Sequence, residues 1–139
     1  MKVRNLILSL LFATLAIGTQ AQMGSGPGNH MSNYNPKTEV TASGTVDRVT
    51  QESGSRGWQG THLFLKTDNG VIEVHVGPAN YIASQQFAFG AGDVVEVTGS
   101  KITMQNKDVL LAREIKKDGK TLVLRNAQGV PNWSRGRRS

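Results

Sequence analysis

THLFLKTDNGVIEVHV, residues 61–76, is two alternating segments joined at an Asn-Gly pair. Period-two alternation marks strands with one buried face, and Asn-Gly between two such runs is the strongest local hairpin signal. A two-residue turn at Asn69-Gly70 predicts Leu65 opposite Val74 and Leu63 opposite Val76, which gives one apolar face. The other face then sets Lys66 opposite Glu73 and Phe64 opposite His75. With the apolar pairs inward, His62, Phe64, Lys66, Glu73 and His75 project outward together.

Upstream, Val40, Ala42, Gly44 and Val46 share one parity, and Thr41, Ser43, Thr45 and Asp47 share the other. That is another half-buried strand, with Gly44 predicting a bulge or a sharp coil of the sheet. Gln51 to Gly60, QESGSRGWQG, reads as a polar loop carrying Arg56 and Trp58. Downstream, Gly77-Pro78 ends the third strand and Ala79 to Phe87 reads as a short helix, with Pro78 suited to its first turn. Asp93 to Ile102 reads as a fourth strand, Met104 to Asp108 as a turn, and Val109 to Lys116 as a fifth strand. The Asp118-Gly119 turn then leads into Thr121 to Arg125. This predicts a sixth strand hairpinned onto the fifth, with Leu122 and Leu124 inward and Trp133 packing back after Pro131.

The ends differ in character. Residues 1–22, MKVRNLILSLLFATLAIGTQAQ, combine Lys2 and Arg4, an apolar run from Leu6 to Ile17, and small residues before a cleavage point near Ala21. That order is a secretory signal peptide, too short and wrongly flanked for a transmembrane helix. The expectation is an exported protein, periplasmic or secreted. Residues 22–38, rich in Gly, Asn and Ser, read as a flexible leader. A barrel domain is expected over 39–126 and a basic tail over 127–139.

Of 139 residues none is Cys, which removes disulfides, thiolate metal sites and thiol catalysis. The formal charge of +6 is a matter of the ends. Lys2 and Arg4 lie in the signal segment and Arg135, Arg137 and Arg138 in the last five residues, so the body carries eleven basic against ten acidic residues. A folded nucleic-acid binder concentrates Lys and Arg on its docking face. The body has no such excess, and nucleic acid is disfavoured as a partner.

Three strands, a short helix and two more strands, with a mid-strand Gly44 and the Asn69-Gly70 hairpin, resemble the OB-fold from about Glu39 to Lys117. The fold class expected is therefore mainly β: a five-stranded Greek-key barrel with a helix between strands 3 and 4 and an extra C-terminal strand. The chain also resembles the small exported bacterial OB-fold proteins, and Gly129-Val-Pro131-Asn-Trp133 matches a recurring ending of that type. The resemblance implies a binding surface on the outer face of strands 2 and 3, flanked by the first-second and fourth-fifth loops. The candidate ligand-binding residues are Arg56, Trp58, His62, Phe64, Lys66, Glu73, His75 and Lys101. One exported OB-fold type binds monovalent copper through His, Met and Trp, and its ligand spacing is not reproduced here. His62, His75 and Met104 are the candidate metal ligands, and copper or another transition metal is the candidate cofactor.

Catalysis finds no constellation. There is no Gly-x-Ser-x-Gly elbow, and a glycosidase pair would need two carboxylates on the candidate face, where only Glu73 is expected. The reading is a non-catalytic exported binding module for a small ligand, a metal ion or an envelope protein. A copper-type metal carrier is the first alternative and a single-strand nucleic-acid or polyanion binder the second.

Overall fold

The computed structural model describes residues 33–54 and 57–136. The expected signal peptide, the first part of the expected leader, Arg56 and the last three residues lie outside them. After a 3-10 turn at Pro36–Thr38 come β1 (Glu39–Ser53), β2 (Gln59–Thr67) and β3 (Gly70–Pro78). Helix α1 (Ala79–Ser84) precedes β4 (Val94–Met104), β5 (Lys107–Lys117) and β6 (Lys120–Val123), and a last 3-10 turn spans Asn132–Gly136. The sheet order is β3-β2-β1-β4-β5-β6, and a parallel pairing of β3 with β5 closes it into a barrel. That is the OB-fold, a five-stranded Greek-key barrel with one short helix between strands 3 and 4 and a sixth strand added.

β1 can serve two neighbours because it coils. Glu39 to Thr45 pair with β4, and Thr45 to Ser53 pair with β2, with a bulge between Val46 and Arg48. Gly44 lies where the strand changes partner. A Cβ there would sit 2.0 Å from the Lys66 carbonyl oxygen, so only glycine permits the approach. β1 also runs further than the sequence suggested, because Gln51 to Ser53 continue the ladder opposite Thr61 to Gln59. The expected ten-residue loop is a short connection at the end of a long hairpin.

The β2–β3 register is two residues from the expected one. Thr67 pairs with Gly70, Leu65 with Ile72, Leu63 with Val74 and His62 with His75. The turn residues are Asp68 and Asn69, and the positive φ of 109° falls on Gly70, which follows them. Thr67 Oγ1 holds this turn by donating to the Gly70 carbonyl and accepting from Asn69 N–H. A shift of two keeps every side chain on its face. Leu63, Leu65, Val74 and Val76 are fully buried, as the alternation requires.

Those four join Val46, Val95, Val97, Leu110, Ala112 and Ile115 in the core, with Ile82 of α1 plugging one end. The sixth strand is where the sequence put it. Leu122 pairs with Ile115, and Leu122 and Leu124 are 1% and 0% exposed. The chain then folds back. Asn126 Oδ1 accepts from Gln128 and Val130 N–H, Asn132 N–H donates to the Leu124 carbonyl, and Trp133 packs on the core beside Tyr81, with ring centres 5.4 Å apart.

Arg125 is buried with its guanidinium bonded to the carbonyls of Val76 and Ala112. The parallel pairing of β3 with β5 ends at His75 and Leu111, one residue earlier on each strand. The side chain thus supplies the donors the ladder no longer provides. Burial without a carboxylate pushes its pKa down to about 10. At the other end of the chain, Tyr34 is buried against Gly129 and donates to Glu39, whose carboxylate takes a two-pronged bond from Arg113 at 2.9 and 3.0 Å.

Candidate functional site

His62 on β2 and His75 on β3 stand directly opposite each other on the outer face. They close the unbroken register that runs back from the turn, and a bulge follows them, where Thr61 pairs with Gly77. The extra residue, Val76, goes into the core, and the two imidazoles stack with centres 4.0 Å apart and planes 14° from parallel. Glu73 lies on the same face, one pleat before His75. Its Oε1 is 3.0 Å from His62 Nδ1 and 3.2 Å from His75 Nε2, so one carboxylate oxygen accepts from both rings. His62 is 8% exposed. Burial, then the neighbouring His62, pushes the His75 pKa down against the opposing pull of Glu73.

Three ligand atoms therefore converge. His62, Glu73 and His75 each offer one, and all lie within 4.8 Å of one another. An ion with bonds of about 2.1 Å holds adjacent donors roughly 3.0–3.4 Å apart, which both carboxylate–imidazole separations satisfy. The stacked rings direct their nitrogens side by side, so a shared ion requires the rings to splay about their χ angles.

The other candidate residues serve the sheet. Phe64 carries Arg48, whose guanidinium carbon is 3.8 Å from the ring centre. Lys66 pairs with Asp47 at 3.0 Å, which corrects the expected Lys66–Glu73 pair. The two-residue shift put Phe64, and not Lys66, opposite Glu73. Lys101 faces Asp108 at 4.0 Å across the β4–β5 hairpin. Trp58 is half exposed and rests the outer edge of its benzo ring on bare backbone, where a Cβ at Gly54 or Gly60 would come within 2.6 or 2.7 Å. Met104 is not brought to the histidines. Its partner Lys107 is four residues along β5 from Leu111, the partner of His75, about 13 Å away with a further strand between.

Glu52 is the residue the sequence did not single out. Read as part of a loop, it instead sits on β1 opposite Gly60, with Oε1 3.4 Å from His62 Nδ1. Continuing the β1 alternation past Val49 would have placed it on the histidine face.

A barrel of the OB-fold class, carrying a histidine–carboxylate cluster on the outer face of strands 2 and 3, is what these features make up. More particularly, the chain belongs to the MamS/MamX magnetosome protein family, whose pattern matches residues 38–122. No curated protein matches it. Among solved structures it is similar to the N-terminal domain of PriB from Thermoanaerobacter tencongensis, at 15% identity and a TM-score of 0.46 over 60% of this chain and 99% of that one. It is also similar to part of a chain in the complex of TiaS with an isoleucine tRNA and ATP, at 20% identity and a TM-score of 0.42 over 57% of this chain. It spans 18% of that chain's length. No helix of the described residues is long and apolar enough to cross a membrane.

Proposed function

We propose that this member of the MamS/MamX family is a non-catalytic, exported binding module that holds a divalent transition-metal ion on the outer face of β2 and β3. The observation that carries the reading is the convergence of His62, Glu73 and His75. Two imidazoles and a carboxylate suit zinc, cobalt, nickel, divalent copper or ferrous iron. Monovalent copper prefers soft sulfur, and the one sulfur ligand the sequence suggested, Met104, is elsewhere. The export part of the reading rests on residues 1–22.

Glu73 organises the site before the ion arrives, since one oxygen already holds both rings by their N–H groups. For the ion to bind at these two nitrogens each neutral ring carries its proton on its other nitrogen instead, and a doubly protonated ring offers the ion no lone pair, so binding weakens as pH falls. Calorimetric titration of the chain from Gln22 with zinc, cobalt and divalent copper tests this. One ion per chain at micromolar or tighter affinity is expected, abolished in His62→Ala/His75→Ala. Absence of binding, or binding indifferent to that double substitution, rejects the reading.

A further inference from the structure

A second carboxylate, Glu52, stands beside the three ligands of the ion site described above. Glu52 and Glu73 both address His62 Nδ1, at 3.4 and 3.0 Å. That nitrogen carries at most one proton, so one N–H serves two carboxylates. The surroundings sharpen the imbalance. Among the described residues, neither Glu52 nor Glu73 has a Lys or Arg within ion-pair distance. The cations of this face are engaged elsewhere, Lys66 by Asp47 and Arg48 by the Phe64 ring. Among the described residues, two carboxylates and two imidazoles thus meet with ring N–H groups alone to offset the negative charge.

We propose that Glu52 is the fourth protein ligand of the ion, so that the site is His62, His75, Glu73 and Glu52. This rests on the ion reading and deepens it. The three carboxylate–imidazole separations of 3.0, 3.2 and 3.4 Å fall in the range that an ion with bonds of about 2.1 Å imposes, and Glu52, which lies outside the trio whose ligand atoms are all within 4.8 Å of one another, swings in to complete the set. The two carboxylates have different parts. Glu73, with a side chain 21% exposed, is fixed between the rings, whereas Glu52, 66% exposed, is free to swing out to solvent. Four protein ligands close a tetrahedral ion against substrate, the arrangement of holding sites and not of catalytic ones. The solvent-facing Glu52 is the arm that captures and releases the ion.

Cobalt is the probe, because its visible absorption is strong when four-coordinate and weak when six-coordinate. Wild type, Glu52→Gln, His62→Ala and Glu96→Gln are titrated. Glu96 is an exposed carboxylate on β4, and its substitution controls for the loss of one negative charge. The wild type is expected to show the intense band. Glu52→Gln should lose affinity by about tenfold or more, the scale on which even the outer partners of a metal site act, and its band should weaken, while Glu96→Gln stays like wild type. Glu52→Gln binding no worse than Glu96→Gln, with His62→Ala still abolishing binding, overturns the fourth ligand and leaves the ion site standing. A wild type that binds neither cobalt nor zinc overturns both.

Discussion

Leu122→Ala should cost about 2–5 kcal/mol, because the sixth strand is part of the barrel's core and not an appendage. Leu122 is 1% exposed and pairs with the fully buried Ile115, so truncation removes buried methyl groups and leaves a cavity that the two strands can only partly close. The whole domain has roughly 5–15 kcal/mol to lose. For a domain of this size each kcal/mol shifts the midpoint by about 4–8 °C, so the melting temperature should fall by about 10 °C or more. Val123→Ala is the internal control, since Val123 is next along the chain and 46% exposed. It should cost no more than about 0.5 kcal/mol. Circular dichroism on heating, with urea unfolding as a second probe, reads both. Leu122→Ala melting within about 2 °C of wild type would mean that the sixth strand is dispensable, and truncation after Lys117 would then be expected to leave a folded barrel.

Gly44→Ala should destabilise by about 1–3 kcal/mol or more, since its Cβ would meet a carbonyl oxygen that cannot rotate away; urea midpoints measure it. Arg125→Ala should cost about 2–5 kcal/mol by leaving the Val76 and Ala112 carbonyls without their donor, whereas Arg48→Ala, which loses only the Phe64 stack, should cost about 0.5–1 kcal/mol. The Arg113 guanidinium, then the Tyr34 hydroxyl, hold the Glu39 carboxyl below its ordinary pKa. The stability this supplies is complete above the ordinary carboxylate range and is lost as pH falls through the lowered value. The melting-temperature gap between wild type and Glu39→Gln should therefore shrink on going from about pH 6 to about pH 3, and a gap that does not change with pH would contradict the assignment.

The fold was legible because alternation determines faces whatever the register. Leu63, Leu65, Val74 and Val76 read as core from parity alone, and a slip of two residues left them there. The register itself was misread because Asn-Gly fits two hairpin geometries. Only the backbone at Gly70 shows that the turn sits one residue earlier. Leu122 and Leu124 were legible for the same reason as the core strands. Arg125 was not, because its partners are carbonyls of β3 and β5, and carbonyls leave no mark in a sequence. The outward grouping of His62, Glu73 and His75 was readable from the hairpin. Their stacking depended on the two-residue register shift that sets His62 opposite His75, and Glu52 depended on a strand continuing through residues that read as loop.

Everything proposed for this face depends on one divalent ion being held by His62 Nδ1 and His75 Nε2 with Glu73. Imidazole nitrogen resonances of the ¹⁵N-labelled chain, followed during zinc addition, report on those atoms themselves. The two nitrogens should shift together and saturate at one ion per chain, with both resonances unmoved by zinc addition to Glu73→Ala at the same concentration. Zinc-induced shifts confined to His30, or none at all at millimolar zinc, would contradict the ion site.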